Sequence, residues 1–414
     1  MKRGMNAPGQ DTVRVAVRGS GPLALFGHFF HRQLDRLDRG IAEGSLEVHT
    51  PDGQARLLGG SAPGPAAIVA LHSWRALVRL ATGGSSGWYE AWEKGEWSSP
   101  DPVQLFALFG RNRAGLAGQA RSRGLSLLPR RLMHWMRRNH RGGSRKNIAF
   151  HYDLGNDFYA PWLDAGMSYS SAIFGDADAG LVAAQETKLQ AILDRTATKP
   201  GDMILEIGCG WGSFAELALR QGRKLHGITL STEQMAWAEA RTAGLDGARF
   251  SLTDYRDVTG QYDAVASIEM AEAVGREYWP AYVSAIARAL KPGGRAALQV
   301  ITFDDTMFEG YARNVDFIQT YVFPGGMLLK ESEFRALAEA EGMEWRDRHA
   351  FGLDYAETLR RWRERFDAAA AAGLLPAQFD ARFVRLWRYY LMYCEGGFRG
   401  GGIDVIQMTL VKRG

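Results

Sequence analysis

Short apolar runs alternate with longer segments of helical periodicity from about Asn147 onward. The strand-like runs are MILEI, KLHGITL, RFSL, YDAVASI and RAALQVI, and helical segments follow the first, second and fourth of them. Such alternation predicts a mostly parallel sheet with helices on both faces. After Ile301 the sequence continues with an insertion that contains FPGGM, helical stretches near 354–371 and 376–395, and a last strand, IDVIQMTLV.

The first hundred residues follow a different pattern. A helical segment near Leu23–Ile41 precedes the strand-like pieces SLEVHTPDG and AAIVALHS, and PDG signals a turn between them. The stretch GGSSGWYEAWEKGEWSSPD, rich in Trp and Gly, predicts a loop with a short helix. These changes in pattern predict four parts: a flexible tail at 1–20, a small α+β domain at 21–110, a basic amphipathic linker at 111–146 and a larger α/β domain at 147–414.

Composition narrows the class of protein. The 46% of hydrophobic and 23% of charged residues are ordinary for a soluble globular chain. Only two cysteines, Cys209 and Cys394, are present, which favours a reducing, cytoplasmic setting. The N-terminus has no apolar core of a signal peptide, and no apolar run approaches the length of a membrane span.

The charge of the chain is unevenly distributed. Segment 111–146 contains eleven Lys or Arg and no acidic residue, so with a net charge of +4 the rest of the chain carries about −7 (4 − 11). A helix after Pro129 would place Met133, Trp135 and Met136 among arginines, which favours docking on an anionic membrane surface. A solvated linker helix and a surface for nucleic acid phosphates are the alternatives.

The segment ILEIGCGWGSF combines a strand, a glycine turn and the start of a helix. A dinucleotide site would need G-x-G-x-x-G and an acid at the end of the next strand. Here Gly208, Gly210 and Gly212 give G-x-G-x-G, the next strand ends in Thr229-Leu230-Ser231, and Glu206 precedes the glycines. This pattern resembles the first motif of S-adenosylmethionine-dependent methyltransferases. A plain tight turn between strand and helix is the alternative.

Further motifs follow in order: NIAFHYDLGNDFYAPWLDAGMSYSSAIF, GITLSTEQ, TDYRD, SIEMAEAVG, YVFPGGML, FGLDYAETLRRWRERF and YYLMYCEGGFRGGGIDVIQMTL. Together they resemble the cyclopropane-fatty-acyl-phospholipid synthase family, strongly over about 147–412 and weakly over 21–100. The resemblance implies a Rossmann-like class I methyltransferase sheet with helical lid insertions, plus a small N-terminal domain. It also implies S-adenosylmethionine as methyl donor and the cis double bond of an unsaturated phospholipid acyl chain as acceptor, with a cyclopropane fatty acid as product.

The resemblance also assigns residues to the cofactor. Tyr169 and Ser170 would touch its methionine end, and the three glycines would form the floor of its site. Residues assigned to the ribose region are Thr229, Ser231 and Gln234, and those flanking the adenine are Tyr255 and Arg256. Glu206 is the last residue assigned to cofactor binding. For Thr229 and Tyr255 the alternative is a structural role, in packing or capping.

The ring-closing base in the family is a bound bicarbonate ion, and its ligands are matched only in part. Glu272, Ile301 and Tyr355 stand at the family's Glu, Ile and Tyr. Ser171 replaces a Cys and Gln299 replaces a His, and both can still donate hydrogen bonds to an anion. Ala271 and Ala273 also depart from the family pattern. These departures leave open a methylene or methyl-branched product formed without ring closure.

Several other residues rank lower. Glu269 could share hydrogen bonds with Glu272, while Glu272 could itself be a capping acid. His151 is interpreted as structural, Cys209 as a buried filler, and Asp153, Asn156 and Asp157 as residues that tie a loop over the cofactor. No Cys and His spacing indicates zinc. The predicted location is cytoplasmic and peripheral on the inner membrane face, and a homodimer is left open. Nucleic acid is not expected as a partner, although nucleic acid methylation and non-catalytic lipid binding are the other function classes.

Overall fold

The computed structural model describes residues 27–116, 154–175 and 179–414. Within them, a large sheet has the strand order β11-β12-β9-β8-β5-β6-β7, and the short β10 pairs with β9. The strands are β1 Ser45–His49, β2 Ala55–Gly59, β3 Ala66–Leu71, β4 Trp97–Ser98, β5 Met203–Ile207, β6 Lys224–Thr229, β7 Ala248–Leu252, β8 Tyr262–Ile268, β9 Leu290–Phe303, β10 Leu329–Lys330, β11 Met343–Ala350 and β12 Ile403–Lys412. Strands β5 to β9 run parallel, and β12 is antiparallel to both β9 and β11.

Helices cover the large sheet and fill the segments between its strands. They are α1 Gly27–Gly40, α2 Arg75–Glu93, α3 Pro102–Arg111, α4 Arg113–Leu116, α5 Asn156–Tyr159, α6 Leu181–Thr196, α7 Ser213–Arg220, α8 Thr232–Arg241, α9 Trp279–Ala289, α10 Phe308–Ala312, α11 Glu331–Ala340, α12 Gly352–Ala371 and α13 Ala381–Gly400. Short 3₁₀ turns lie at Tyr255–Asp257, Ala271–Ala273 and Arg276–Tyr278, and a π-helical turn lies at Ile318–Val322. The predicted α/β fold with a parallel sheet is therefore confirmed.

The central strands are hydrophobic on both faces because helices cover them on both sides. In β5, Ile204 and Leu205 are fully buried, and in β8 Val265 and Ala266 are as well. Ile204 and Ala266 pack toward α6 and α7, whereas Leu205 and Val265 pack toward α9 and α11. The sheet therefore fixes the carboxyl ends of β5, β6, β8 and β9 side by side.

The N-terminal part forms a separate four-stranded sheet, ordered β2-β1-β3-β4, that shares a core with the rest of the chain. Helix α3 packs on α13 through glycines, because a Cβ at Gly396 would lie 2.4 Å from Phe106 Cβ. A Cβ at Gly400 would likewise lie 2.6 Å from the Ala107 carbonyl oxygen. Only glycine allows these two backbones to approach so closely.

One local prediction is confirmed only in part, and two elements were not predicted. The Trp- and Gly-rich stretch, predicted as a loop with a short helix, is helical up to Glu93 as part of the 19-residue helix α2, which has a kink at Gly84, whose φ is 57° and ψ is −141°. The antiparallel edge strand β11 and the preceding helix α11 were not predicted. The helix expected after Pro129 lies outside the described residues, as do His151 and Asp153.

Two searches of the described residues gave negative results. No helix in that part of the chain is long and apolar enough to cross a bilayer. No group of three or more His, Cys, Asp or Glu side chains there could hold a metal ion.

Candidate active site

The glycine turn lies at the carboxyl end of β5, where a doubly wound sheet binds ligands. Gly208, Gly210 and Gly212 have φ angles of 79°, 49° and 83°, a region that side-chain-bearing residues rarely adopt. A Cβ at Gly212 would lie 2.9 Å from Ala238, whereas a Cβ at Gly210 would face open space. The turn thus forms a bare backbone surface against which a flat ligand can lie.

The end of β6 carries a buried hydrogen-bond chain. The Thr229 hydroxyl donates to Gln234 Oε1 at 3.0 Å, and Ser231 Oγ accepts from the Gln234 backbone N–H at 3.2 Å as the cap of α8. The Gln234 amide nitrogen has no partner among the described residues, although it is buried. That unsatisfied donor fits a bound ligand with acceptor atoms, as a ribose would supply.

Tyr255 and Arg256 lie in the 3₁₀ turn after β7, but they differ in environment. Tyr255 lines the cavity together with Asp254. The Arg256 guanidinium binds both carboxylate oxygens of Asp254, with its Nε 2.8 Å from Oδ1 and its NH2 2.6 Å from Oδ2. Arg256 therefore fixes the shape of the turn, and Asp254 is a residue of this site that the sequence did not single out.

A buried lysine faces the methionine end of the predicted cofactor site. Lys188, on α6, is 1% exposed, and its Nζ donates to Ser170 Oγ at 2.7 Å. Burial lowers the pKa of Lys188 to about 8, while the carboxylates of Glu269, Asp164 and Glu206 act in the opposite direction. Burial raises the pKa of Glu206 well above its usual value, and the Lys188 ammonium partly offsets this. Lys188 was not singled out from the sequence, and the signal that could have identified it is a lysine on the buried face of a helix.

The loop before the glycine turn is tied to it. Asn156 Oδ1 accepts from the Trp211 indole N–H at 2.7 Å, so the start of α5 is held against the turn. Tyr169, which follows in the same segment, has its hydroxyl 3.1 Å from that of Tyr390 on α13. Cys209 is buried within the turn, and burial raises the pKa of its thiol.

The carboxylate of Glu269 accepts three hydrogen bonds at the carboxyl end of β8. The backbone N–H of Ser171 and the side-chain amide of Gln299 both donate to Oε1 at 2.8 Å. The hydroxyl of Tyr355 donates to Oε2 at 2.7 Å. The backbone of Glu269 has a φ of 52°, a strained conformation that in proteins is often found at functional sites.

The supporting shell of Glu269 is also ordered. Gln407 donates to Gln299 Oε1 at 3.0 Å, which fixes the direction in which the Gln299 amide nitrogen points. The Ser171 hydroxyl donates to the Ala172 carbonyl instead of to the carboxylate. Enclosure raises the pKa of Glu269, and the bonds from Tyr355, Ser171 and Gln299 oppose that rise.

Glu272 lies one turn further on and has a different set of contacts. Its carboxylate accepts from the backbone N–H of Ile301, and its carbonyl accepts from Met327 at 2.8 Å. Enclosure, with the charge of Glu269 second, raises the pKa of Glu272 to about 8. A pKa of about 8 leaves Glu272 mostly protonated at neutral pH, whereas three hydrogen-bond donors converge on the carboxylate of Glu269.

One cavity of about 720 Å³ joins these groups. It contains the glycine turn, Lys188, Glu269 and Glu272, and its walls include the aromatic rings of Tyr169, Phe323, Tyr355, Tyr390 and Phe398. The size lies within the range of roughly 300–1,000 Å³ that small-molecule sites occupy. Acidic groups, an open glycine turn and aromatic walls thus share one cavity.

Comparisons with known proteins agree with this arrangement. Residues 140–408 match the family model described as mycolic acid cyclopropane synthetase. The chain is 37% identical to a tuberculostearic acid methyltransferase of Mycobacterium tuberculosis, over 97% of this chain and 95% of that protein. It is 38% identical to the cyclopropane-fatty-acyl-phospholipid synthase of Escherichia coli, over 63% of this chain and 66% of that one.

Solved structures give the same result. A cyclopropane synthase from Mycobacterium tuberculosis superposes with a TM-score of 0.61 at 29% identity, covering 65% of this chain and 98% of that one. A mycolic acid cyclopropane synthase in complex with SAH and CTAB superposes with a TM-score of 0.59, also at 29% identity and with the same coverage. SAH is the demethylated product of S-adenosylmethionine, the methyl donor on which enzymes of this family depend.

Proposed function

Since the chain belongs to the mycolic acid cyclopropane synthetase family of S-adenosylmethionine-dependent enzymes that act on lipid acyl chains, we propose that it adds a one-carbon unit to the double bond of an unsaturated acyl chain. We further propose that the product carries a methylene branch instead of a cyclopropane ring. The proposed base is the carboxylate of Glu269.

The position of the Glu269 carboxylate carries this proposal. Ser171, Gln299 and Tyr355 are three of the groups expected to bind bicarbonate, and all three donate hydrogen bonds to Glu269. A separate bicarbonate does not fit a set of donors that already binds a side-chain carboxylate. Glu269 supplies the same chemical group, a carboxylate oxygen, from within the chain.

The residues of the site perform distinct tasks. Bound S-adenosylmethionine supplies an electrophilic methyl group, and the glycine turn, Glu206 and Gln234 would hold it. The alkene contributes the electron pair of the new C–C bond, and one of its carbons becomes cationic. The rings of Tyr355, Tyr390 and Phe398 line the cavity, where they would supply π faces to that cation and help to exclude the water that would trap it.

We infer that the fixed place of the base favours the branch over the ring. Ring closure needs a base that stays beside the methyl carbon while that carbon moves onto the cation. Glu269 is held by three hydrogen bonds and the end of β8, so it does not follow this movement. A hydride then shifts from the methylated carbon to its cationic neighbour, Glu269 takes a proton from the new methyl group, and that C–H electron pair forms the carbon–carbon double bond of the methylene branch.

Product analysis tests this proposal. The purified chain would be incubated with S-adenosylmethionine and vesicles of cis-monounsaturated phospholipid, and the acyl chains would be analysed by gas chromatography and proton NMR. Olefinic methylene signals are expected. Upfield cyclopropane signals would refute the methylene-branched product but support one-carbon transfer. Acyl chains that lack the added mass of one CH₂ would refute one-carbon transfer itself. Glu269→Gln, which keeps the shape without the base, is the matched inactive control.

We also propose that the acyl chain is presented as a phospholipid and that basic segment 111–146 docks on the anionic surface. Each Lys or Arg near such a surface contributes about 1 kcal/mol. Flotation with anionic vesicles tests this: a variant with charge reversals between 130 and 141 should remain in the unbound fraction, and equal flotation would reject docking. The homodimer and the location on the inner membrane face stay predictions.

A further inference from the structure

The cavity of the candidate active site extends well beyond the cofactor turn, into the N-terminal part of the chain. Six apolar side chains from residues 27–116 line its far end: Leu37, Leu80, Trp88, Phe106, Phe109 and Leu116. They come from α1, α2, α3 and α4. All of them precede residue 140, where the match to the family model begins.

We propose that this far end holds the methyl-terminal part of the acyl chain, so that the enzyme selects a double bond by its distance from the methyl end. This inference rests on the proposed function. The ester and headgroup end of a lipid would need hydrogen-bond partners if it were buried. Among residues 27–116, Arg113 is the one charged residue that lines the cavity, and its terminal nitrogens already pair with Asp304 at 3.1 Å and donate to the Gly401 carbonyl at 2.6 Å. The Arg113 Nε and the Trp88 indole N–H are the buried donors left there, too few for an ester and a headgroup.

The far wall is fixed relative to the reacting groups. Helix α2 kinks at Gly84, and Gly83, Gly84 and Ser85 line the cavity at the kink. Ser85 Oγ accepts from the Phe317 backbone N–H at 3.0 Å, and Ser86 Oγ lies 3.0 Å from Thr320 Oγ1. These contacts hold α2 against the π-helical turn Ile318–Val322, which also contributes Ile318 to the cavity.

The fixed far wall and the fixed base together set the length of acyl chain that fits between the double bond and the methyl end. Because both ends are rigid, only a chain with the matching number of methylenes between its double bond and its methyl end brings the alkene to Glu269. One methylene too many or too few in an apolar pocket changes kcat/KM by roughly 10–200-fold.

Competition assays on two lipid series test the inference. One series keeps the number of carbons from the double bond to the methyl end constant and varies the total length, and the other varies that number at constant length. The wild type should treat members of the first series alike and discriminate at least tenfold within the second. Leu80→Trp, which fills the pocket, should shift preference to double bonds nearer the methyl end, and Leu37→Ala, which enlarges it, should shift preference the other way.

The controls separate this inference from the proposed function. Leu57→Trp adds the same ring at a position that is 69% exposed and outside the cavity lining, and should leave selectivity unchanged. Calorimetric affinity for SAH should be equal in all variants. Selectivity that follows the distance from the carboxyl end, or that ignores both Leu80→Trp and Leu37→Ala, would overturn the inference alone. If Leu80→Trp does not fold, the two lipid series measured with the wild type and with Leu37→Ala still test the inference. An inactive wild type would overturn the proposed function as well.

Discussion

If Glu269 is the base, as proposed, its replacement by glycine should make one-carbon transfer depend on added bicarbonate, which the wild type should not need. The change removes the carboxylate and leaves the Ser171 N–H, the Gln299 amide and the Tyr355 hydroxyl facing a space in which an anion of that size can bind. Glycine also relieves the strained φ of 52°. We expect one-carbon transfer to depend on added bicarbonate in this variant alone.

The magnitudes follow from the contacts. A positioned base contributes about 10²–10⁴-fold, so activity without bicarbonate should fall by that factor. Relief of the left-handed backbone is worth roughly 1–2 kcal/mol. Each of the three buried donors left unpaired costs about 1–3 kcal/mol. The anion-free variant should therefore be less stable than the wild type by a few kcal/mol, and bicarbonate should raise its melting temperature by binding the folded state.

The assay compares transfer and melting temperature in carbon-dioxide-free buffer with and without bicarbonate. Glu269→Gln is the matched control, because it lacks the base but leaves no space for an anion, and it should stay inactive in both buffers. Wild-type activity that needs bicarbonate as strongly as the glycine variant does would refute the reasoning. Full activity of the glycine variant without bicarbonate would do so too.

Three further changes have expected outcomes. The pKa of Glu272 rises from 4.5 to about 8 on folding. The folded state therefore retains a proton that the unfolded chain loses, so the free energy of unfolding should fall as pH rises from about 4.5 to 8. Urea unfolding of Glu272→Gln should show a smaller fall than the wild type, and an identical pH dependence in the two proteins would contradict this. Lys188→Met removes a positive charge near Glu269 and Glu206 and should move the acidic limb of the pH–rate profile upward, whereas lower activity with an unmoved profile would indicate a structural role only. Gly212→Ala places a Cβ 2.9 Å from Ala238 and should weaken SAH binding in calorimetry, while Gly244→Ala, with a φ of 86° and no neighbour within 4 Å, should cost stability but not affinity.

The cofactor turn could be predicted because its determinants are local. Strand, glycines and helix are consecutive in the sequence, and positive φ angles at Gly208 and Gly212 need no distant partner to be recognised. The proposed role of Glu269 is different. It depends on donors at Ser171, Gln299 and Tyr355, which only folding brings together. Ranking by position in a motif therefore favoured Glu272.

The predicted secondary structure differs from the observed one where tertiary contacts outweigh local preference. The glycines of the Trp- and Gly-rich stretch predict a loop beside a short helix, yet buried Trp88 and Tyr89 hold its first part within the long helix α2 against the shared core, and Gly84 absorbs the bend. Strand β11 has the polar sequence MEWRDRHA and is an edge strand with much of its length exposed, so alternation could not reveal it. The far end of the cavity was unpredictable for a similar reason, since its walls come from four helices.

The left-handed backbone at residue 269 has an evolutionary consequence. Glycine is the residue for which that conformation carries no penalty, and the codons of glutamate and glycine can differ by one nucleotide. A single point mutation could therefore exchange an attached proton acceptor for a diffusible one without remodelling the surrounding strands. If Glu269 is the base, as proposed, lineages of such enzymes could alternate between two lipid products through changes at one base pair.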